Sequence, residues 1–233
     1  MSATDVVDLS AGGQRDAADP WAREAVRLYR RYQMEIVEEC GLCPWAPRAR
    51  LDGKVRERVL LQTSDADVSV AVSAIQELLG DHDAEIALLI FPRIGSDRAA
   101  FERFVARVQE ADARAHPLGG IPFVFAAFHP QAEPDLSHAE RLVPFLRRTP
   151  DPTIQLLRAA AVDRVRAGTP QGTQFVDIRQ LEADSVSQLP LRERIARTNH
   201  TTVTRMGLDR MKALLDAIVR DREETYRRLA GAP

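Results

Sequence analysis

Residues 85–91, EIALLIF, and residues 121–128, IPFVFAAF, are two nearly unbroken apolar runs of strand length. A strand with one face in water alternates apolar and polar residues. A continuous run instead requires cover on both faces, which parallel βαβ units supply. Working outward, Asp97 precedes Phe101, Phe104, Val105 and Val108 at helical spacing between the two runs, and Val68, Val72, Ile75 and Leu79 form an earlier helical face over 65–79 that Gly80 ends. Residues 58–62, around Val59, Leu60 and Leu61, read as a first short strand. The order strand, helix, strand, helix, strand predicts an α/β fold, with a small parallel or mixed sheet of three to four strands flanked by helices. Right-handed crossovers would set the carboxyl ends of all three strands on one edge.

Upstream, Asp19 and Pro20 open a helix that presents Trp21, Ala25, Leu28, Tyr32 and Ile36 inward. It must stop before Gly41-Leu42-Cys43-Pro44-Trp45-Ala46-Pro47, and a basic loop is expected from there to Glu57. Residues 1–18 lack apolar periodicity and are expected to form a disordered arm before a single α/β domain at 19–233. Downstream, 130–150 carries four prolines and no period, which predicts a long loop. Asp151 and Pro152 are read as starting a helix with Ile154, Leu157, Ala161 and Val165 inward and Gly168 as its stop. A weak strand is expected at 175–178. A long C-terminal helical region follows over 190–229, with Leu191, Ile195, Thr202, Met206, Met211, Leu215 and Ile218 as its stripe and Gly207 as a bend or break.

Composition narrows the function classes. Lys plus Arg total 32 against 34 for Asp plus Glu, so a net charge of -2 offers no long-range attraction to nucleic acid or an anionic membrane. The apolar runs fall far short of the roughly 20 residues that span a bilayer. The amino-terminal stretch lacks the features of a secretory signal, so a cytoplasmic location is expected. Two cysteines three positions apart, Cys40 and Cys43, exclude a disulfide scaffold. No Walker A loop, GxGxxG, HExxH or GxSxG is present, so no nucleotide cofactor is indicated and the cofactor is left unassigned.

The remaining chemistry rests on a few side chains. Cys40-Gly41-Leu42-Cys43 has the spacing of a redox dithiol, but it trails a helix, whose carboxyl-terminal dipole disfavours a thiolate. His129 directly follows the 121–128 strand, at the edge where open α/β sheets bind ligands, and Thr63 and Arg93 follow the other two strands. Arg147, Arg148 and Arg158 bracket the expected helix start at Asp151, where free amides favour an anion. Asn199 lies on or beside an apolar helical face.

Leu42-Cys43-Pro44-Trp45-Ala46, Phe128-His129-Pro130, Arg148-Thr149-Pro150-Asp151-Pro152 with Leu156-Leu157-Arg158, and Asn199, Thr202 and Gly207 stand in an order that resembles the bacterial domain-of-unknown-function family 1415 over roughly residues 21–207. The chain departs from that pattern in having Pro144-Phe145-Leu146-Arg147 where the family has Asn-Tyr-x-Asn, Gln155 in place of a histidine, and the additional Cys40. The resemblance favours Cys43, His129, Arg148 and Asn199 as the polar set. The resulting expectation is a small-molecule enzyme with Cys43 and His129 as catalytic groups at the carboxyl edge and Arg148, Arg93, Asn199 and Arg158 binding an anionic substrate. Two alternatives stand beside it: a non-catalytic protein-binding module, and a metal-dependent protein that uses Cys43 and His129 as ligands.

Overall fold

The computed structural model describes residues 6–8, 19–116, 122–167 and 191–231. The sheet runs β1 (Val6–Asp8), β2 (Val55–Leu60), β3 (Ile86–Ile90), β5 (Thr153–Arg158), β4 (Phe123–Phe128) from edge to edge. β2 and β3 are parallel, while β5 is antiparallel to both β3 and β4. It follows that β2, β3 and β4 point the same way and their carboxyl ends share one edge, as the strand order in the sequence requires.

The apolar run of β3 is explained by two-sided burial. Ile86, Leu88 and Ile90 join one core with α1 (Pro20–Tyr32), α5 (Ala139–Leu146), α7 (Leu191–Met206) and α8 (Leu208–Ala230). Ala87, Leu89 and Phe91 join the opposite core with α3 (Ser69–Leu79) and α4 (Arg98–Ala115). Phe91, Phe101 and Phe104 meet edge-on or tilted in that second core, with centroids 5.5 to 5.9 Å apart. Such pairs add to the area they bury. The caps act where the sequence places them: Asp19 accepts from the Trp21 N–H at 2.7 Å, and Asp97 from the Ala100 N–H at 2.7 Å.

Five expectations are corrected. The segment from Asp151 does not start a helix. Thr153–Arg158 is strand β5, with Ile154 and Leu156 in the α3/α4 core and Leu157 against the other, and α6 (Ala159–Ala167) begins only afterwards. Its apolar residues fit both periods, and the vacancy between β3 and β4 decides, because backbone partners on both sides are satisfied only by a strand. That insertion pushes β4 to the edge, so β4 is not buried on both faces, and Val124 is 45% exposed. The loop of 130–150 contains α5 despite Pro144 in its interior, and the basic loop after Pro44 contains α2 (Ala46–Leu51). Within the expected amino-terminal arm, Val6–Asp8 pairs antiparallel with β2. The remaining arm residues and the weak strand expected at 175–178 lie outside the described residues.

The first helix continues as a π-helical turn, Gln33–Glu38, and ends at Gly41, whose φ is +64°. Arg27 grips Asp221 with both terminal nitrogens at 2.9 and 2.8 Å, and Arg31 reaches the same carboxylate at 2.9 Å. These charge-assisted bonds fix α8 along α1 and hold the Asp221 carboxyl well below the usual range.

Gly207 separates α7 from α8 at φ +92°, and a Cβ there would meet nothing within 4 Å. The cost of Gly207→Ala is therefore backbone strain alone. We expect a loss of about 1–3 kcal/mol in urea denaturation, and an unchanged midpoint would contradict the need for glycine at this break.

Candidate functional site

The carboxyl edge of β2 and β3 opens into a cleft of about 410 Å³ lined by Trp21, Thr63, Pro92, Arg93, Ile94, Gly95, Arg222 and Tyr226. Each lining segment has a local reason to be there. Thr63 and residues 92–95 follow the parallel strands β2 and β3, Trp21 lies in the capped first turn of α1, and Arg222 and Tyr226 are one helical turn apart on α8. The Arg27–Asp221 clamp sets the register of the two helices, so that the Trp21 and Tyr226 rings lie 4.7 Å apart.

Beneath the cleft stands Asp151, with no solvent exposure. Its Oδ1 accepts from Arg222 Nε at 2.7 Å and its Oδ2 from the Tyr226 hydroxyl at 2.6 Å. Its carbonyl accepts from the hydroxyls of Thr149, at 2.7 Å, and Thr153, at 2.9 Å. Burial pushes the Asp151 carboxyl above its usual range, and Arg222 and Tyr226 draw it back. Tyr226 in turn is raised far above an ordinary phenol by burial and by Asp151.

The two cleft arginines are held by aromatic faces. Arg93 lies over the Trp21 ring at 5.6 Å, and Arg222 over the Tyr226 ring at 4.9 Å. Among the described residues no carboxylate or carbonyl takes a hydrogen bond from the Arg93 guanidinium, and Arg222 uses only its Nε, leaving both terminal nitrogens without a partner. Among the described residues the lining holds two guanidinium groups and no carboxylate, which suits an anion.

Of the residues expected to form the site, only Arg93, together with Thr63 from the same edge, lies in this cleft. His129 follows β4 at the same edge, but the insertion of β5 moves it two strand spacings from β3, roughly 10 Å. Its ring is committed: Nε2 donates to Ser96 O at 3.1 Å, Nδ1 accepts from the Gln131 N–H at 3.1 Å, and the Phe101 ring lies 5.7 Å away. Those roles specify a neutral imidazole with neither nitrogen free. Cys43 lies toward the other core, within electrostatic reach of Tyr29, Tyr32 and Glu38. Burial pushes its thiol up, against the pull of the Trp45 and Ala46 N–H groups at the start of α2. Cys40 is also raised by burial, and both thiols are free.

Arg148 is occupied as well, its Nε donating to Pro130 O at 3.0 Å and its Nη2 to Asp216 at 3.1 Å. Arg158 stands at the opposite end of β5, where it donates to Ala84 O, Leu78 O and Asp81 O at 2.8, 3.1 and 2.7 Å and closes the end of α3. No helix amino terminus lies at Asp151, so the anion site expected between Arg148 and Arg158 is replaced by a strand. Asn199 is buried on α7 between Ala196 and Val203. Among the described residues no group of three or more His, Cys, Asp or Glu side chains is placed to hold a metal ion, and no helix is long and apolar enough to cross a membrane.

Sequence reasoning missed Trp21, Arg222, Tyr226 and Asp151. The available signal was the Arg222/Tyr226 spacing of one turn, next to a charged residue flanked by Pro150 and Pro152.

Burial lowers the His129 pKa below the usual 6.5; Arg98 acts in the same direction, and the Ser96 carbonyl, Asp97 and Glu102 oppose it. The unfolded chain therefore binds a proton that the folded chain does not. Stability contributed by neutral His129 is present above 6.5 and is lost as pH falls toward its depressed folded value. His129→Gln should flatten this slope and cost about 1–3 kcal/mol through lost hydrogen bonds. Equilibrium unfolding of both proteins across about pH 5 to 8, where histidine titrates, checks this, and an unchanged slope would contradict it.

No curated protein and no solved structure matches the chain. Residues 24–188 match the sequence profile described as Protein of unknown function (DUF1415), which covers more than half of the chain. The chain therefore belongs to the DUF1415 family.

Proposed function

We propose that this protein binds a small anionic molecule at the carboxyl edge of its sheet, in the cleft between the β2 and β3 loops and the α1/α8 pair. The observation that carries the reading is the pair of guanidinium groups, Arg93 and Arg222, that line this cleft with no carboxylate among its described lining residues. The Trp21 face fixes Arg93 without cancelling its charge, and Asp151 with the Tyr226 face fixes Arg222 from behind, so an incoming anion meets donors that are already oriented. The volume of about 410 Å³ lies at the small-metabolite end of ligand cavities.

On this reading the chemistry of an enzyme would be centred on the cleft. Cys43 and His129 have other work: His129 ties the turn after β4 to the loop before α4, and Cys43 fills space beside α1. A reducing, cytoplasmic setting is part of the same proposal, supported by two thiols three positions apart that remain free. The near-balanced charge of the whole chain supports a small ligand over nucleic acid, because attraction is confined to one cleft.

A thermal-unfolding screen with small carboxylates, phosphates and matched neutral amides tests the proposal. An anion present at about 100 times its Kd should stabilise the fold by about 2.7 kcal/mol, which is roughly 5–10 °C for a chain of this size. Arg93→Gln should keep the unliganded melting temperature, since Arg93 is exposed, and lose most of the anion-dependent rise. Equal stabilisation by neutral analogues, or an undiminished rise in Arg93→Gln, would overturn the reading.

A further inference from the structure

The donors around the cleft outnumber what a planar carboxylate can accept. Arg93 offers a whole guanidinium and Arg222 its two terminal nitrogens. Thr63 adds a hydroxyl. The backbone N–H groups of Arg93, Ile94 and Gly95, consecutive in the loop after β3, donate to no backbone or side-chain acceptor among the described residues. A run of unpaired amides beside arginines is a recurrent way of holding a multiply charged oxyanion.

Acceptors are scarce on the same surface. Among the described carboxylates in contact with the lining, Asp19 accepts from the Trp21 N–H as the cap of α1, and Asp151 is fully buried, with both of its oxygens engaged by Arg222 and Tyr226. Asp151 offsets one guanidinium from behind and leaves the front of the cleft positive. The remaining lining is apolar: Trp21, Pro92 and Ile94 form a wall, and at Gly95 a Cβ would meet nothing within 4 Å, so the backbone there is open to close approach.

Resting on the anion-cleft reading, we propose that the ligand is a phosphate monoester of a small organic group. Its tetrahedral dianion engages Arg93, Arg222 and the 93–95 amides, and its organic part lies against Trp21, Pro92 and Ile94. Three non-bridging oxygens in different directions match donors that come from two side chains and a loop, where the two oxygens of a carboxylate lie in one plane.

Isothermal titration of the full chain with phenyl phosphate, benzoate and inorganic phosphate at low salt separates the possibilities. Phenyl phosphate should bind at least about tenfold more tightly than benzoate, since its second charge and third oxygen accept further charge-assisted hydrogen bonds. It should also exceed inorganic phosphate, through contact with the aromatic wall. Its affinity should rise as pH increases through about 6, where the ester takes its second charge. Arg93→Gln, at an exposed position that should leave the fold intact, should weaken phenyl phosphate by about tenfold or more. Benzoate binding as tightly as phenyl phosphate, with both sensitive to Arg93→Gln, would refute the phosphate assignment and leave the anion cleft standing. Absence of binding by all three probes, or binding indifferent to Arg93→Gln, would remove both.

Discussion

Asp151 has a carboxylate with no access to water, and the Arg222 guanidinium and the Tyr226 hydroxyl hold it from α8. An isolated charge in that position would be untenable, so the segment between Pro150 and Thr153 and the last turns of α8 must assemble together. This constraint ties the last helix of the chain to the sheet edge formed by its middle. It also positions two residues that wall the cleft, since Arg222 Nε and the Tyr226 hydroxyl both donate to Asp151 while the Tyr226 ring stands 4.7 Å from that of Trp21. The same bonds that complete the fold thus create the positive, aromatic surface. Asp221, one position before Arg222, secures α8 to α1 through Arg27 and Arg31 and makes that arrangement rigid.

Much of the fold was legible because its period was unambiguous. The unbroken run at Ile86–Ile90 reports burial on both faces, and Asp19, Asp97 and Gly207 mark boundaries through local chemistry. Thr153–Arg158 was not legible, since Ile154 and Leu157 are three apart and Leu156 and Leu157 adjacent, a pattern open to helix or strand. Its state depends on a space between β3 and β4 that exists only in the assembled sheet. One misassigned element then moved the expected site: a helix start at Asp151 would have offered free amides to an anion beside Arg148, whereas the strand leaves Arg148 to bridge Pro130 and Asp216.

The candidate site was legible only in part for a related reason. The strand-end rule led to Arg93 and Thr63, because carboxyl ends of parallel strands are fixed by topology. His129 obeys the same rule, yet a strand of opposite direction stands between it and the cleft. Trp21 reads as an interior residue of an amphipathic helix, Tyr226 lies beyond the stripe read for the C-terminal helical region, and nothing in their spacing distinguishes a ring that walls a cleft from one that fills a core. Membership of a family without an assigned activity identifies segments, and the geometry then separates those that brace the fold from those that face open space.

The central claim is the location of the ligand site, and amide chemical-shift mapping of the labelled protein during titration with phenyl phosphate tests it most directly. The account predicts saturable shifts at the Trp21 indole N–H and at the backbone amides of Thr63, Ile94 and Gly95, with little change elsewhere. Shifts concentrated instead around Cys43, Tyr32 and Arg147, at the other end of α1, would contradict it and return the site to the Cys-Pro-Trp segment.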